Sequence, residues 1–296
     1  MKLFFTKATR HLAPFFALSE NAYINTFSDG EQYLKLHTNI ERKHTVVITS
    51  TIAPAEHIIE LLLLLDALQR ENAYIHLFFT YFGYARQDKA QKGEALGAQV
   101  ILNCLKQFNI QSMDIMHVHN PHISQFLIFK NIIPYDFFMQ YTPNVDIIIA
   151  PDKGAYPLAN TIGTHSHKET ILLNKIRPVQ EKTKVMPIHA DLSGKNVLIV
   201  DDMISTAETI INISIALKER GVNNIYVAAT HGIFSGDAVE KLEESAIQHV
   251  FVTNTINQEK QSSKISVMNI APFIQNIINE YKYKGPIHPH DIKHLP

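Results

Sequence analysis

Val197-Leu198-Ile199-Val200-Asp201-Asp202-Met203-Ile204-Ser205-Thr206-Ala207-Glu208-Thr209 is the most informative stretch of the 296-residue chain. Its four leading apolar residues have the composition of a strand buried on both faces. The strand delivers two adjacent carboxylates, then a Ser/Thr-rich turn that opens a helix over Thr209 to Arg220, ended by Gly221. A strand running through a polar turn into a helix is half of a βαβ unit. Backbone N–H groups and the dipole at such a helix start favour an anion such as phosphate. Paired carboxylates beside it suit ribose hydroxyls or a magnesium-bound substrate. Taken alone, the same residues also read as a surface Asp pair followed by a helix cap.

The pattern repeats on both sides. Ile225 to Ala229 is the next strand, and Val145 to Ala150 precedes Pro151-Asp152-Lys153-Gly154. In the first half, strands over Val46 to Thr49, Ile75 to Phe79 and Asp114 to Val118 alternate with helices over Glu56 to Gln69 and Leu96 to Phe108. This order predicts parallel sheets covered by helices on both faces. Polar clusters sit at the C-terminal ends of the strands, where open α/β sheets bind ligands. The segment from Ile133 to Asn144 reads as a joint. It divides the chain into an N-terminal domain, 1–142, and a C-terminal domain, 143–296, whose extreme C-terminus is expected to pack back on the first.

Composition agrees. At ~150 residues per domain the length allows about two domains. Hydrophobic residues make up 46% and charged residues 19%, which excludes a disordered chain. One cysteine, Cys104, excludes a disulfide framework and a cysteine-based zinc site. A net charge of −1 argues against a general nucleic-acid surface. The apolar run Ile58 to Leu65 contains Glu60 and stops at Asp66, too short for a membrane span. The N-terminus lacks a signal-peptide pattern. A cytoplasmic protein binding neither nucleic acid nor membrane is expected. Sixteen histidines are unusual; full protonation would take the net charge from −1 to +15.

The stretch from Asp201 to Thr209 resembles the ribose-5-phosphate loop shared by ribose-phosphate pyrophosphokinases and phosphoribosyltransferases, usually Asp-Asp-x-x-Asp/Ser-Thr-Gly/Ala-Gly-Thr. Glu208 stands where that pattern has its second glycine. Other motifs select the pyrophosphokinases. Phe27-Ser28-Asp29-Gly30-Glu31 is similar to their Phe-x-Asp-Gly-Glu element. Tyr81-Phe82-Gly83-Tyr84-Ala85-Arg86-Gln87-Asp88-Lys89 resembles their Tyr-x-Gly-Tyr-Ala-Arg-Gln-Asp-Arg/Lys signature. Ser50 to Pro54 with the following helix, Thr230 to Gly236, and Val252 to Thr255 match further elements in the same order. Pro151 to Ala155 and Ser205 resemble archaeal-type members.

The resemblance implies an α/β protein of two doubly wound, phosphoribosyltransferase-like domains with mainly parallel sheets. It implies transfer of the diphosphoryl group of ATP to the C1 hydroxyl of ribose 5-phosphate, giving phosphoribosyl diphosphate and AMP, with Mg2+ as cofactor. Phe27, Asp29, Glu31, Arg86, Gln87, Asp88 and His119 would bind ATP. Arg offers a permanently charged fork for phosphate, and Gln can read a purine edge. Asp201, Asp202, Ser205, Thr206, Ala207, Glu208 and Thr209 would bind ribose 5-phosphate. Lys175 and Arg177 would be catalytic, two cations closing over the transferring group. His119 and Asp152 would lie at the metal.

Three departures stand out: His117 replaces an aspartate, Leu158 an arginine and Glu208 a glycine. They keep open a silent, synthase-associated regulatory subunit; a phosphoribosyltransferase is the other rival. Strand alternation would put His117 and His119 on one side if the strand reaches them, a pair that could also hold a transition metal. Family members often complete the ATP site with the Phe27 element of a neighbouring subunit, so a homo-oligomer is expected.

Overall fold

A computed structural model describes residues 1–17, 19–20, 22–173 and 191–281. The chain divides into two compact units, each described by itself. Unit 1 holds residues 1–133, with 255–257 and the described residues from Ile270 onward; unit 2 holds 134–254 and 258–269.

Unit 1 runs β1 (Lys2–Phe5), β2 (Ala22–Thr26), β3 (Gln32–Leu36), β4 (His44–Ser50), α1 (Glu56–Arg70), β5 (Tyr74–Tyr81), α2 (Gly97–Leu105), β6 (Ile110–Met116) and β7 (Lys130–Ile132). Its main sheet has the order β1-β4-β5-β6-β7, with every pair parallel. β2 and β3 form a separate antiparallel hairpin, docked on α1 by Leu34 and Leu36. Alternation along β4 and β5 explains why the sheet is buried on both faces. Val47, Ile75, Leu77 and Phe79 face a core built with α1 and α2. Val46, Ile48 and Phe78 face a second core with the segment Lys7–Phe15 and the C-terminal helix.

Unit 2 runs α3 (Tyr135–Met139), β8 (Ile147–Ala150), α4 (Tyr156–Ser166), β9 (Glu169–Leu172), β10 (Val197–Ile204), α5 (Glu208–Lys218), β11 (Ile225–Gly232), α6 (Ala238–Glu244), β12 (His249–Thr253) and β13 (Ile265–Met268). These strands form one parallel sheet in the order β13-β12-β11-β10-β8-β9. Its core joins Ile147, Ile199, Val227 and Val250 to Ile210, Ile213 and Leu217 of α5 and Leu242 of α6. α4 packs against β8, β9 and β10. The final helix, α7 (Ala271–Glu280), belongs to unit 1, where Ile274, Ile278 and Tyr281 enter the second core. Among the described residues no helix is long and apolar enough to cross a membrane.

The expected βα alternation is present in both units, with several elements differing in extent: β10, for one, runs on through Asp201 and Asp202 to Ile204. α2 stops at Leu105, followed by a turn rather than by helix through Phe108. β6 ends at Met116, not Val118. Its partner β7 ends at Ile132, the His117 N–H bonds the Ile132 carbonyl at 2.8 Å, and His117 turns out of the strand at φ 38°. His117 is therefore buried while His119 is exposed, and strand alternation does not pair them.

Candidate functional site

In unit 2, β10 pairs with β8 only from Val197 to Ile199. The next residues, Asp201 and Asp202, run beyond that partner while β11 supports the other side. Burial first, then the Asp202 and Asp152 carboxylates, push the Asp201 carboxyl well above the usual carboxylate range. The Asp201 Oδ1 accepts the Asp202 N–H at 2.9 Å. Asp152, just past β8, accepts the N–H groups of Gly154 and Ala155 at 2.9 and 3.1 Å and so shapes the turn into α4. The carboxylates of Asp202, the next residue in β10, and of Asp152, just past β8, thus both act on Asp201.

The following turn ends at Ala207, whose φ of 62° is left-handed. A Cβ in that region costs roughly 1–2 kcal/mol, and the strain buys a sharp entry into α5. Ala207 has no side-chain oxygen to cap the helix, so its first N–H groups receive no cap from that position. The loop after β11 braces the turn. Ile233 and Phe234 donate N–H bonds to the Ile204 carbonyl at 2.9 and 3.2 Å, and Ser235 donates to the Ser205 carbonyl at 3.0 Å. The Ser205 and Ser235 hydroxyls lie 3.3 Å apart. Thr206 is exposed and Thr209 half-buried. Glu208 turns toward α6, its Oε1 3.7 Å from the Lys241 Nζ.

In unit 1, two loops meet after β4 and β5. A Cβ at Gly83 would lie 2.3 Å from the Thr51 carbonyl oxygen, so only glycine fits. The Gly83 N–H bonds the Thr51 hydroxyl at 2.7 Å. Beyond this contact Arg86 and Gln87 are exposed. Gln87 also meets α2: its carbonyl accepts the Ala98 N–H at 3.2 Å and its side chain lies against Gly97. Asp88 accepts a hydrogen bond from the Asn120 amide. Asn120 in turn caps the short helix Pro121–Gln125, its Oδ1 accepting the His122 N–H at 3.0 Å. The structure therefore brings Asp88 beside the residue next to His119.

Phe27, Asp29 and Glu31 occupy the tip of the β2–β3 hairpin. The Phe27 N–H bonds the Glu31 carbonyl at 2.8 Å, and Asp29 accepts the Glu31 N–H at 3.1 Å. Phe27 is 49% exposed, with Tyr33 its ring neighbour at 6.0 Å. Among the described residues no hydrogen bond joins this tip to Arg86 or Gln87. Leu158 is buried on α4, a core residue. Lys175 and Arg177 lie outside the described residues.

The motifs read from the sequence contain Thr51, Asn120 and Ser235 but give them no site role, and none of them singles out Lys241. Asn120-Pro121 carries a helix-cap signature that could have been found. The other three act across loops that only folding brings together.

Oxygen donors at Asp152, Asp201 and Asp202 are the hard ligands a magnesium-type cation takes, and a cation there would relieve the repulsion felt by Asp201. Among the described residues no cluster of three or more His, Cys, Asp or Glu side chains forms a metal cage. Such a cation would keep water or substrate oxygens among its ligands, as magnesium commonly does. Of the two expected metal residues, His119 lies in unit 1 and Asp152 in unit 2.

Comparison with known proteins agrees with this arrangement. Residues 15–108 match the N-terminal domain of ribose phosphate pyrophosphokinase, and residues 155–285 match the phosphoribosyl synthetase-associated domain. A ribose-phosphate pyrophosphokinase of Chlorobaculum tepidum is 36% identical over 85% of this chain and 81% of its own length. One from Aquifex aeolicus is 35% identical over 87% and 86%. The crystal structure of phosphoribosylpyrophosphate synthetase from Mycobacterium smegmatis superposes with a TM-score of 0.87 at 25% identity, covering 96% of this chain and 99% of that one. With two parallel α/β units, a carboxylate pair before a helix-opening turn and relatives matched over most of their length, this chain belongs to the ribose-phosphate pyrophosphokinase family.

Proposed function

We propose that the chain transfers the diphosphoryl group of ATP to the C1 hydroxyl of ribose 5-phosphate, giving phosphoribosyl diphosphate and AMP. The observation that carries this reading is the last part of β10: Asp201 and Asp202, followed by Met203 and Ile204, precede a braced turn into α5, whose Ala207 provides no side-chain cap. Carboxylates suit ribose hydroxyls, and the turn from Ser205 to Thr209 suits the 5-phosphate. ATP is assigned to unit 1. Exposed Arg86 is suited to phosphate and Gln87, beside α2, to the adenine edge, and Asp88 fixes the loop beside His119 through Asn120. Phe27, Asp29 and Glu31 at the exposed hairpin tip suit an adenine face and nucleotide hydroxyls, supplied in a homo-oligomer to a neighbouring subunit's site.

A divalent cation fits the donor chemistry, and magnesium is the ion proposed, with His119 near the ion on the triphosphate and Asp152 near a second. When bound, it neutralises triphosphate charge. The protein's own contribution is positional. Asp201 and Asp202 orient the ribose so that its C1 hydroxyl attacks the β-phosphorus, and the turn anchors the far end of the sugar. Lys175 and Arg177 are assigned to stabilising charge on the transferring group. The cytoplasm, where both substrates are made and used, is the proposed location.

The test is a coupled assay with purified protein, ATP, ribose 5-phosphate and magnesium. AMP should appear in step with phosphoribosyl diphosphate. No product with magnesium, manganese or cobalt would overturn the activity. Lys175→Ala should lower kcat by at least about a hundredfold with little change in ribose 5-phosphate binding; unchanged kcat would remove Lys175 from the catalytic set.

A further inference from the structure

Resting on the ribose 5-phosphate assignment above, we propose that Lys241 is a positioning residue that makes the phosphate turn compatible with Glu208, by drawing the Glu208 carboxylate onto α6 and offsetting its charge.

Glu208 is the first residue of α5, directly after the turn. An anion there is favoured by the same N-terminal N–H groups and helix dipole that would favour a bound phosphate. A free Glu208 carboxylate would therefore compete with phosphate for one positive field and repel it across a short distance. In the structure the carboxylate lies away from the turn, over a shallow groove between α5 and α6 lined by Ile211, Asn212, Ile215 and Glu244. Lys241 holds it there at 3.7 Å. Lys241 is itself fixed by Asp237, one helical turn earlier, at 3.0 Å. Lys260 bonds the Gly236 carbonyl at 3.0 Å and Glu240 at 2.8 Å, tying down the segment that leads into α6.

The placement of Lys241 is not incidental to the turn. The same β11–α6 segment donates three backbone N–H bonds to Ile204 and Ser205. One connection thus holds the phosphate turn on both sides: Ser235 and its neighbours at the entry, Lys241 at the start of α5. Any shift of α6 would move both grips together.

The experiment is a double-mutant cycle read by equilibrium binding of ribose 5-phosphate and by steady-state kinetics. Lys241→Ala should raise the Kd and KM for ribose 5-phosphate roughly fivefold, the size of one uncompensated charge at the surface. kcat and the KM for ATP should stay unchanged. Raising the ionic strength should shrink the difference. Lys241→Arg should keep wild-type values. Glu208→Gln is the reference single variant of the cycle, and added to Lys241→Ala it should bring binding back to the level of that single variant. A merely structural loss in α6 would not be rescued by Glu208→Gln. Unchanged ribose 5-phosphate binding in Lys241→Ala, or no rescue in the double variant, would overturn the inference. A wild-type chain that binds ribose 5-phosphate without turning over would overturn the activity and leave the inference standing. A wild-type chain that does not bind it would overturn both.

Discussion

In unit 2 the residues assigned to ribose 5-phosphate lie within nine consecutive positions, Asp201 to Thr209, and one strand end presents them. In unit 1 the residues assigned to ATP come from three separate places. Asp88 and Asn120 are 32 residues apart and meet through one hydrogen bond, and the Phe27 tip belongs to a separate hairpin. The chemistry differs as well. Unit 2 gathers carboxylates that push Asp201 toward its protonated form, whereas unit 1 leaves Arg86 and Gln87 exposed. A site built from neighbours in sequence can hold strained, mutually repelling groups, because the strand beneath them is buried and paired. A site built from distant loops depends on the few contacts that align those loops.

The largest expected effect tests the strained side. Asp201→Asn should lower kcat/KM by about a hundredfold or more while raising the melting temperature at neutral pH in a chelating buffer. Burial and the two neighbouring carboxylates disfavour a charge at Asp201 in the folded chain, and a neutral amide escapes that cost. A fall in both activity and stability would mean that Asp201 is a structural anchor.

Gly83→Ala tests the loop alignment in unit 1. The new Cβ would force Thr51 away, costing about 2 kcal/mol, and raise the KM for ATP more than that for ribose 5-phosphate. Chemical denaturation and kinetics read the two effects; equal loss of both KM values would break the division of substrates between units. Asn120→Ala is milder. Losing the bond to Asp88 should raise the KM for ATP about tenfold, with a stability loss near 1 kcal/mol. An unchanged KM for ATP would separate Asp88 from the site.

The smallest effect should leave the site untouched. Glu60 on α1 is buried and accepts the Lys7 N–H at 2.7 Å, and burial raises its carboxyl above the model-peptide value of 4.5. The folded chain thus holds that proton more tightly than the unfolded chain. Its contribution is fully present below pH 4.5 and is lost as pH rises through the higher folded value. Glu60→Gln keeps an acceptor for Lys7 and should stabilise the protein at pH 7, the gain vanishing at pH 4, with kcat unchanged. Melting curves at the two pH values check the sign.

How much could be read beforehand follows the same division. The βα alternation, both parallel sheets and the Asp201–Thr209 turn were legible because each is a local pattern: apolar runs of strand length, followed by polar turns and helix-forming segments. The reach of β6 was not. Val118 and the histidines beside it continue the pattern, but the β6–β7 ladder ends at Met116 and Ile132, and His117 turns out of the strand there. Tyr281 was equally hidden. It stacks on His76 and donates to Asp114 at 2.7 Å, 167 positions away. His76 also lies 2.9 Å from a ring nitrogen of His44 and 2.7 Å from the Ser112 hydroxyl. Two of the sixteen histidines thus serve a network inside unit 1.

By itself the sequence determined the family, the α/β class and the residues that carry charge to the strand ends, since period, composition and turn chemistry act over a few neighbouring positions. Tertiary structure alone decided that Glu208 faces Lys241, that Gly83 must be glycine, that Asn120 holds Asp88, and that His117 and His119 part company. Each depends on which loops the sheet order places side by side, a matter of contacts across the fold that no local stretch encodes.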